Sequence, residues 1–310
     1  MSSTRIRALA LAGTVVLLVS ACSGTAATPA PTAAPTAAPT AAATAAASAS
    51  AAVTAAPTPA GPAAPDRIKT AGKLVFCSDV SYAPEEFFKA DGTTPQGDDI
   101  DIANAIGKYW GVPVEIDNTG FDSIILALSA KKCDLIISGM NDTAERQKQV
   151  DFVDYLKVGQ GLLVPTGNPK GIHTLDDLSG KSVAVQSGTT NLDALNAKNV
   201  ELKAAGKAEI NIQEFKQDTQ AFQQLGQGRV DAYSTDSPVV AYYNSLPENA
   251  GKFEIGGQPI SPAVIGIAMR KDDTDMKTAV QAAVDAMYAD GSLKAILATW
   301  GMTDAVVLLT

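Results

Sequence analysis

The sequence predicts an α/β protein of two lobes, each built on a parallel sheet and joined to the other by a hinge of two segments. Short β-branched or apolar runs bounded by Gly, Asp or Ser alternate with helical patterns, and this alternation is typical of parallel sheets. Two similar stretches, 132–138 and 229–234, each follow a helical pattern and lead into a strand, which favours two similar lobes. Turn-rich stretches at 165–169 and 256–259 mark where the chain leaves one lobe and later returns to it.

The hinge divides the chain unevenly. We expect residues 66–160 and 258–310 to form lobe 1 and residues 161–257 to form lobe 2. The two crossing segments then lie near residues 157–161 and 257–260.

The individual elements follow from residue periodicity. Predicted strands cover residues 74–78, 114–117, 134–138, 161–164, 182–186, 210–215, 230–234 and 264–269. Apolar residues recur at i, i+3, i+4 and i+7 from Ile102 to Tyr109 and from Phe121 to Leu128, which predicts two helices. The final helices, near 275–289 and 292–300, belong with lobe 1.

The N-terminus has the layout of a secretory signal. Arg5 and Arg7 precede an apolar run at 8–19, which is shorter than the roughly 20 apolar residues that span a bilayer. Residues 1–21 are therefore predicted to be a signal peptide. Residues 19–22 resemble a bacterial lipobox, so lipidation is expected at Cys22. The alternative is an ordinary signal cleaved nearby, with Cys22 incidental.

Composition predicts a tether and excludes some partners. Residues 22–65 consist almost entirely of Ala, Thr, Pro, Ser and Gly, and predict a disordered, semi-stiff tether. The net charge is −9 and no basic cluster follows the signal, so nucleic acid is not an expected partner. No cofactor is expected, and the single histidine, His173, argues against a His-rich metal site.

Two cysteines remain after Cys22, namely Cys77 and Cys133. Cys77 falls late in one predicted strand and Cys133 at the start of another, which would separate them in a parallel sheet. We therefore expect two buried free thiols. The even number leaves a disulfide open.

Candidate binding residues follow four predicted strands. Open parallel sheets bind ligands at the carboxyl ends of their strands, so these side chains should converge on one cleft. The candidates are Asp79, Tyr82, Ser138, Gly139, Asn141, Arg146, Gly188, Thr189, Thr190 and Asp236. Such a set suits an amino acid zwitterion.

Each charged group of a zwitterion has a candidate partner. Arg146 can hold a carboxylate through two parallel hydrogen bonds, and residues 188–190 open a predicted helix whose free N–H groups favour the same anion. Asp236 would take the ammonium group, while Ser138 and Tyr82 can add hydrogen bonds or a ring face. Simpler interpretations are a surface ion pair for Arg146, a helix cap for Asp236 and plain core aromatics for Tyr82 and Phe121.

From about residue 73 to residue 300, the sequence resembles the family 3 solute-binding proteins, the amino acid receptors of ABC importers. The segments that carry the resemblance are 78–84, 99–103, 138–147, 151–154, 180–190 and 230–232. The resemblance implies a periplasmic-binding-protein-like fold of type II. It also implies that Arg146 and Thr190 bind the α-carboxylate, that Asp236 binds the α-ammonium, and that Tyr82 and Phe121 pack on the ligand side chain from opposite walls.

The same resemblance places further residues in the pocket. Ser138, Gly139 and Asn141 would line it, and Asp79 can contact the distal end of the ligand side chain. The chain departs from the family pattern at Asn141, where a serine or threonine is usual, and at Asp98, where an aromatic or aliphatic residue is usual.

Acidic residues give a slight preference for a cationic ligand. Asp79, Glu85 or Glu86, and Asp98 can place negative charge near the far end of the cleft, which favours Arg, Lys or His. The alternative is that the glutamates are solvated, and a neutral ligand such as Gln then fits nearly as well. Asp99 is expected to serve the start of a helix.

The implied mechanism is hinge closure over the ligand, followed by docking of the closed form on an ABC transporter permease. A monomer anchored to the cell membrane through the lipid on Cys22 is expected, with the tether keeping its local concentration high. The protein is not expected to be an enzyme, since no Ser-His-Asp arrangement is evident. The alternatives are a small-carboxylate dehydratase-like enzyme, with Glu85 as base, and a ligand-sensing surface lipoprotein.

Overall fold

A computed structural model describes residues 62–302. The predicted signal peptide, Cys22 and nearly all of the tether lie outside the described residues. Those residues fall within one unit that spans Ala56–Thr310. Among the helices that the structure describes, none is both long and apolar enough to cross a membrane.

Twelve strands and eight α-helices make up the described part. The strands are β1 Leu74–Ser78, β2 Ser81–Tyr82, β3 Glu86–Phe88, β4 Pro95–Gln96, β5 Val114–Asn118, β6 Leu135–Ile136, β7 Val150–Pro165, β8 Ser182–Gln186, β9 Asn211–Phe215, β10 Ala232–Asp236, β11 Phe253–Ile255 and β12 Ile260–Arg270. The helices are α1 Asp66–Ala71, α2 Asp98–Trp110, α3 Ile124–Ser129, α4 Thr190–Ala204, α5 Asp218–Gly226, α6 Ser237–Ser245, α7 Thr274–Ala289 and α8 Ser292–Thr299.

The main sheet contains two parallel groups separated by two long antiparallel strands. Its order is β5-β1-β6-β12-β7-β10-β8-β9, and β11 pairs with β7. β1 is parallel to β5 and β6, while β8 is parallel to β9 and β10. β7 pairs with β12 from Val150 to Gln160 and then with β10 and β11. The predicted α/β fold of two lobes joined by two segments is confirmed, and the lobe boundaries stay a prediction.

Strand β7 is far longer than the sequence pattern suggests. Only 161–164 was predicted, whereas the strand covers Val150–Pro165. Asp151, Asp154, Lys157 and Gln160 interrupt its apolar residues and hide the strand from a search for apolar runs. Strands β2, β3 and β4 form a separate antiparallel sheet that was not predicted, because each has only two or three residues.

Separate apolar clusters fix the strand ends on either side of β7 and β12. Ile102 and Ile106 of α2 belong to one cluster, together with Val280 of α7. Leu195 of α4 and Val183 of β8 belong to another. Full burial of such side chains contributes roughly 1.5–3 kcal/mol each, so the carboxyl ends of the strands are held by rigid packing.

The expectation of free thiols is wrong, because Cys77 and Cys133 form a disulfide with their Cα atoms 5.6 Å apart. Strand β6 begins only at Leu135, so Cys133 lies in the preceding turn instead of at the far end of a parallel strand. Both cysteines share an apolar cluster with Ile124 and Leu128 of α3. The turn after α3 therefore brings Cys133 to the sheet face that carries Cys77.

Candidate ligand-binding site

A cavity lies where the carboxyl ends of β1, β6, β8 and β10 meet. It is lined by Asp79, Tyr82, Glu86, Phe121, Ser138, Gly139, Asn141, Gln186, Thr189, Asn191 and Asp236. Eight of the eleven predicted ligand-binding residues are in this set. The other three, Arg146, Gly188 and Thr190, bond to each other or to Asn141 at its wall.

Asp236 ends strand β10 and is almost completely buried. Its Oδ1 accepts a hydrogen bond from Asn191 Nδ2 at 2.9 Å, and its Oδ2 accepts one from Asn141 Nδ2 at 3.3 Å. Burial raises the pKa of this carboxyl, although hydrogen bonds from both asparagines oppose the rise. The residue precedes α6 but its side chain makes no capping hydrogen bond, so the helix-cap interpretation is wrong.

Arg146 lies in the 3₁₀ turn Arg146–Lys148 and reaches across the cleft. Its Nη1 donates to the Asn141 carbonyl at 2.9 Å and its Nη2 to the Gly188 carbonyl at 3.0 Å. Its Cζ atom lies 5.3 Å from the centroid of the Phe121 ring, within the range of a cation–π contact. Burial lowers the pKa of the guanidinium. Within residues 62–302 it makes no ion pair, so the surface ion-pair interpretation is wrong.

The predicted helix after Gly188 is present as α4. Thr189 is its N-cap residue, and its Oγ1 accepts a hydrogen bond from Leu192 N. Thr190 Oγ1 donates to Asn141 Oδ1 at 2.6 Å. The N-terminus of α4 therefore lies at the cavity wall, where its free N–H groups favour an anion.

Two further acids, Asp79 and Glu86, line the cavity. Asp79 Oδ2 accepts hydrogen bonds from the Phe121 N–H and from Gln186 Nε2, both at 2.9 Å. Glu86 Oε1 accepts one from Ser138 Oγ at 2.7 Å, whereas Glu86 Oε2 has no partner among the described residues. Burial raises the pKa of both acids.

Gly139 allows the Tyr82 ring to pack against the backbone. Its φ is +48°, and a Cβ at this position would lie 2.7 Å from Tyr82 Cε1, so only glycine fits. The Gly139 N–H donates to Asp99 Oδ2 at 2.8 Å, and the Tyr155 hydroxyl donates to Asp99 Oδ1. Asp99 does stand in the first turn of α2, but it also fixes the loop that carries the cavity wall.

Glu85 and Asp98 lie fully buried behind the cavity. None of their four carboxyl oxygens has a hydrogen-bond partner within the described residues. Burial raises the pKa of each well above its usual value, and the nearby charges of Asp98 and Asp99 raise that of Glu85 further. The alternative in which Glu85 and Glu86 are solvated is therefore wrong.

Hydrogen bonds between the two sides close the cleft. The donor and acceptor pairs are Gln186 with Asp79, Arg146 with Gly188, Thr190 with Asn141, Asn141 with Asp236, and Asp218 N with Ser81 Oγ. An ion pair of 3.1 Å between Lys216 and Asp122 lies at the rim. Side chains from both sides thus surround the cavity.

Two cavity residues, Gln186 and Asn191, were not predicted from the sequence. The sequence also left open whether Glu85 or Glu86 places negative charge in the cleft. Gln186 is the last residue of β8 and Asn191 lies in the first turn of α4. Gln186 would have been a candidate if the last residue of each predicted strand had been considered. Asn191 would have been one if the first turn of the following helix had been considered. Glu86 gave no such signal, because its strand has only three residues.

A two-lobed α/β fold with a closed polar cavity between its lobes defines a protein that encloses a small polar molecule. The described residues contain no group of three or more His, Cys, Asp or Glu side chains that could hold a metal ion. The chain belongs to the bacterial extracellular solute-binding proteins, family 3, whose family model matches residues 74–303.

Relatives in this family have been named for different amino acids. The chain is 29% identical over 236 residues to the L-cystine-binding protein TcyJ of Escherichia coli (strain K12), covering 76% of this chain and 85% of TcyJ. It is 30% identical over 232 residues to the arginine-binding extracellular protein ArtP of Bacillus subtilis (strain 168), covering 74% of this chain and 86% of ArtP.

A solved structure extends the comparison. The ancestral amino acid-binding protein AncCDT-1, described as a precursor of cyclohexadienyl dehydratase, is 36% identical with a TM-score of 0.68. The match covers 76% of this chain and 98% of that protein. The two-lobed architecture is thus shared along nearly the whole length of the solved relative.

Proposed function

We propose that this protein is an amino acid receptor that encloses a zwitterion between its lobes and delivers it to an ABC importer, with a preference for cationic side chains. The observation that carries the proposal is the position of Arg146 and Asp236. Both bond to Asn141, Arg146 to its carbonyl and Asp236 to its amide. One guanidinium and one carboxylate therefore stand at the same cavity, separated by a single residue.

Both charged groups retain unused hydrogen-bonding capacity. The guanidinium has five N–H donors, and two of the Arg146 nitrogens make one hydrogen bond each. A carboxylate has about four acceptor sites, and Asp236 accepts two hydrogen bonds. The α-carboxylate of a ligand can therefore bind Arg146 and the N-terminus of α4, while the α-ammonium binds Asp236.

The preference for a cation rests on the acids beyond Asp236 that line the cavity, Asp79 and Glu86. Among the described residues, the one cation at the cavity wall is Arg146, which is assigned to the α-carboxylate. An acidic ligand side chain would meet repulsion, whereas a guanidinium or ammonium would meet opposite charge. The name of the relative ArtP supports arginine, and the name of TcyJ supports a larger polar amino acid.

Closure and delivery complete the proposal. We infer that the lobes comprise residues 66–160 with 258–310 and residues 161–257, and that they rotate about the crossing of β7 and β12. We also infer a signal peptide at 1–21, a lipid anchor on Cys22 and a tether at 22–65 that holds a monomeric receptor near its permease. The hinge is supported by the change of β7 partners at Gln160, which pairs with β10 and with β12.

A thermal-shift screen of the protein against the common amino acids tests the receptor proposal. A ligand at 100 to 1,000 times its Kd stabilises the folded state by roughly 2.7–4.1 kcal/mol, so the cognate amino acid should raise the melting temperature clearly. Arg146→Ala should abolish the shift. Arg229→Ala is the matched control, because Arg229 is exposed and its side chain bonds to Gln224 alone among residues 62–302. Unchanged affinity in Arg146→Ala would contradict the site, and no shift with any amino acid would contradict the receptor.

A dehydratase-like enzyme on the same fold is a second candidate. It is favoured by the likeness to AncCDT-1, the precursor of a dehydratase, and by the raised pKa of Glu86 at the cavity, which suits a proton donor. Chromatography of each stabilising amino acid after long incubation with the protein separates the two functions. Quantitative recovery of the unchanged amino acid excludes turnover of that ligand.

A further inference from the structure

Seven carboxyl groups are buried in and around the cleft. They are Asp79, Glu85, Glu86, Asp98, Asp99, Asp218 and Asp236, and each is at most 3% exposed. Within residues 62–302, none of the seven forms an ion pair with a lysine, arginine or histidine. The guanidinium charge of Arg146 acts on one of the seven, Asp236.

These acids cannot all be ionised together in a closed cleft. Burial disfavours every charged carboxylate, and neighbouring carboxylates repel one another. Burial raises the pKa of Asp99 to about 6 and that of Asp218 to about 8, and it raises the pKa of the other members as well. At neutral pH the cluster therefore holds protons, which it shares among its members.

Glu86 connects this cluster to the cavity. It is fully buried, it lines the cavity, and its Oε2 has no hydrogen-bond partner within the described residues. The other acids that line the cavity, Asp79 and Asp236, each accept two hydrogen bonds. Glu86 is thus the lining acid with a buried oxygen left for a donor on the ligand.

Acidic groups face Glu86 from every side. Asp99 approaches from α2, Glu85 from the adjoining position, Asp79 from the end of β1 and the Tyr155 hydroxyl from β7. A hydrogen bond from Ser138 favours its ionised form, whereas a hydrogen bond from the Glu86 carboxyl lowers the pKa of Asp99. These surroundings disfavour the ionised form of Glu86 and raise its pKa.

We propose that Glu86 determines specificity by exchanging its proton for the cationic side chain of the ligand. This inference rests on the proposed receptor function. The carboxyl O–H bond breaks, the proton passes to the buffer, and the carboxylate accepts an N–H bond from the ligand cation. One positive charge leaves as another enters, so the charge of the buried cluster does not change. A neutral side chain brings no charge, and Glu86 then keeps its proton.

Isothermal titration calorimetry in two buffers of different ionisation enthalpy, phosphate and Tris, counts the protons released on binding. Wild-type protein should release about one proton with L-arginine at neutral pH and about none with L-glutamine. The pKa of Glu86 should be higher in the free protein than in the arginine complex. Arginine affinity should therefore rise with pH, by at most about tenfold per pH unit. The rise should stop above the pKa of the free protein.

Glu86→Gln keeps the side-chain shape and removes the proton. It should abolish proton release and weaken L-arginine binding about tenfold or more, while L-glutamine affinity stays within about threefold. Glu115→Gln is the control, because Glu115 is exposed and pairs with Lys73 at the surface. This inference alone is overturned if wild type binds L-arginine without releasing a proton. It is also overturned if Glu86→Gln still releases a proton on binding L-arginine. If no amino acid binds wild type, the receptor proposal fails with it.

Discussion

Asp236→Asn should weaken ligand binding without lowering folding stability. The carboxylate is proposed to bind the ligand, whereas its burial as a charged group opposes folding. In the folded protein Asp236 is almost completely buried, and burial raises its pKa. A carboxyl group whose pKa is higher in the folded than in the unfolded protein stabilises the fold while it is protonated. This contribution is lost as the pH rises from its pKa in the unfolded protein through its pKa in the folded protein. At neutral pH the neutral asparagine therefore avoids the cost of burying a charge.

The hydrogen bonds around the new amide can be preserved. Asn141 and Asn191 both donate to Asp236, and the introduced Nδ2 would face one of these donors. Asn191 Oδ1 has no partner among the described residues, so a rotation of the Asn191 amide turns that donor into an acceptor. We expect the free energy of unfolding to change by less than about 1 kcal/mol.

Ligand binding should suffer a much larger loss. Removing the charged partner of a desolvated ammonium typically costs about 2–5 kcal/mol, which is roughly 30-fold to several-thousand-fold in Kd. Calorimetry with the amino acid that gives the largest thermal shift measures the Kd, and urea unfolding without ligand measures stability. Wild-type affinity in Asp236→Asn would refute the ammonium assignment, and a parallel loss of stability would refute the separation.

Asp231→Asn is the matched control, five positions earlier in the chain. Asp231 Oδ2 accepts two hydrogen bonds from Ser182, both of 2.8 Å. Burial raises its pKa, but these bonds and the nearby Lys170 and Lys181 outweigh burial and lower it overall. Asp231→Asn should therefore lower stability by about 1 kcal/mol and leave ligand affinity unchanged, the reverse of Asp236→Asn.

Three further outcomes follow from the structure. Replacing Cys77 and Cys133 with alanine opens a loop with a sequence separation of 56, which should cost about 4 kcal/mol in urea unfolding and lower the melting temperature by roughly 8–16 °C. Gly139→Ala should displace the Tyr82 ring, since the new Cβ would lie 2.7 Å from it, and should weaken ligand binding about tenfold or more in calorimetry. Stability should fall as the pH rises from about 4 to about 8, because burial raises the pKa of Asp218 to about 8; Asp218→Asn should flatten this fall in thermal melts.

Each of these outcomes has a result that would contradict it. The cysteine variant should lose no stability if the two thiols are free in the wild type, as thiol titration of unfolded protein would show. Gly139→Ala with full affinity would mean that the Tyr82 wall is not part of the site. If stability falls with pH as steeply in Asp218→Asn as in wild type, Asp218 does not cause the fall. Other buried acids, among them Asp99, then cause it.

The sequence by itself determined the fold class and most of the cavity wall. Strands β1 and β8 were predicted with their observed bounds, because short length, β-branched residues and flanking turn residues together favour a strand over a helix. Knowing where strands end is enough to locate a cleft in a parallel sheet. For that reason Asp79, Ser138 and Asp236 were found before any tertiary contact was known.

Tertiary structure alone decided the features that depend on distant parts of the chain. The length of β7 comes from its pairing with β12, which supplies partners for a strand with polar interruptions. The disulfide depends on how the turn after α3 folds over the sheet. The burial of Glu85 and Glu86 depends on how the chain folds around them, which brings Asp99 of α2 close to both. A residue's own sequence neighbourhood fixes its local conformation, whereas its solvation and its charge state are set by whatever packs against it.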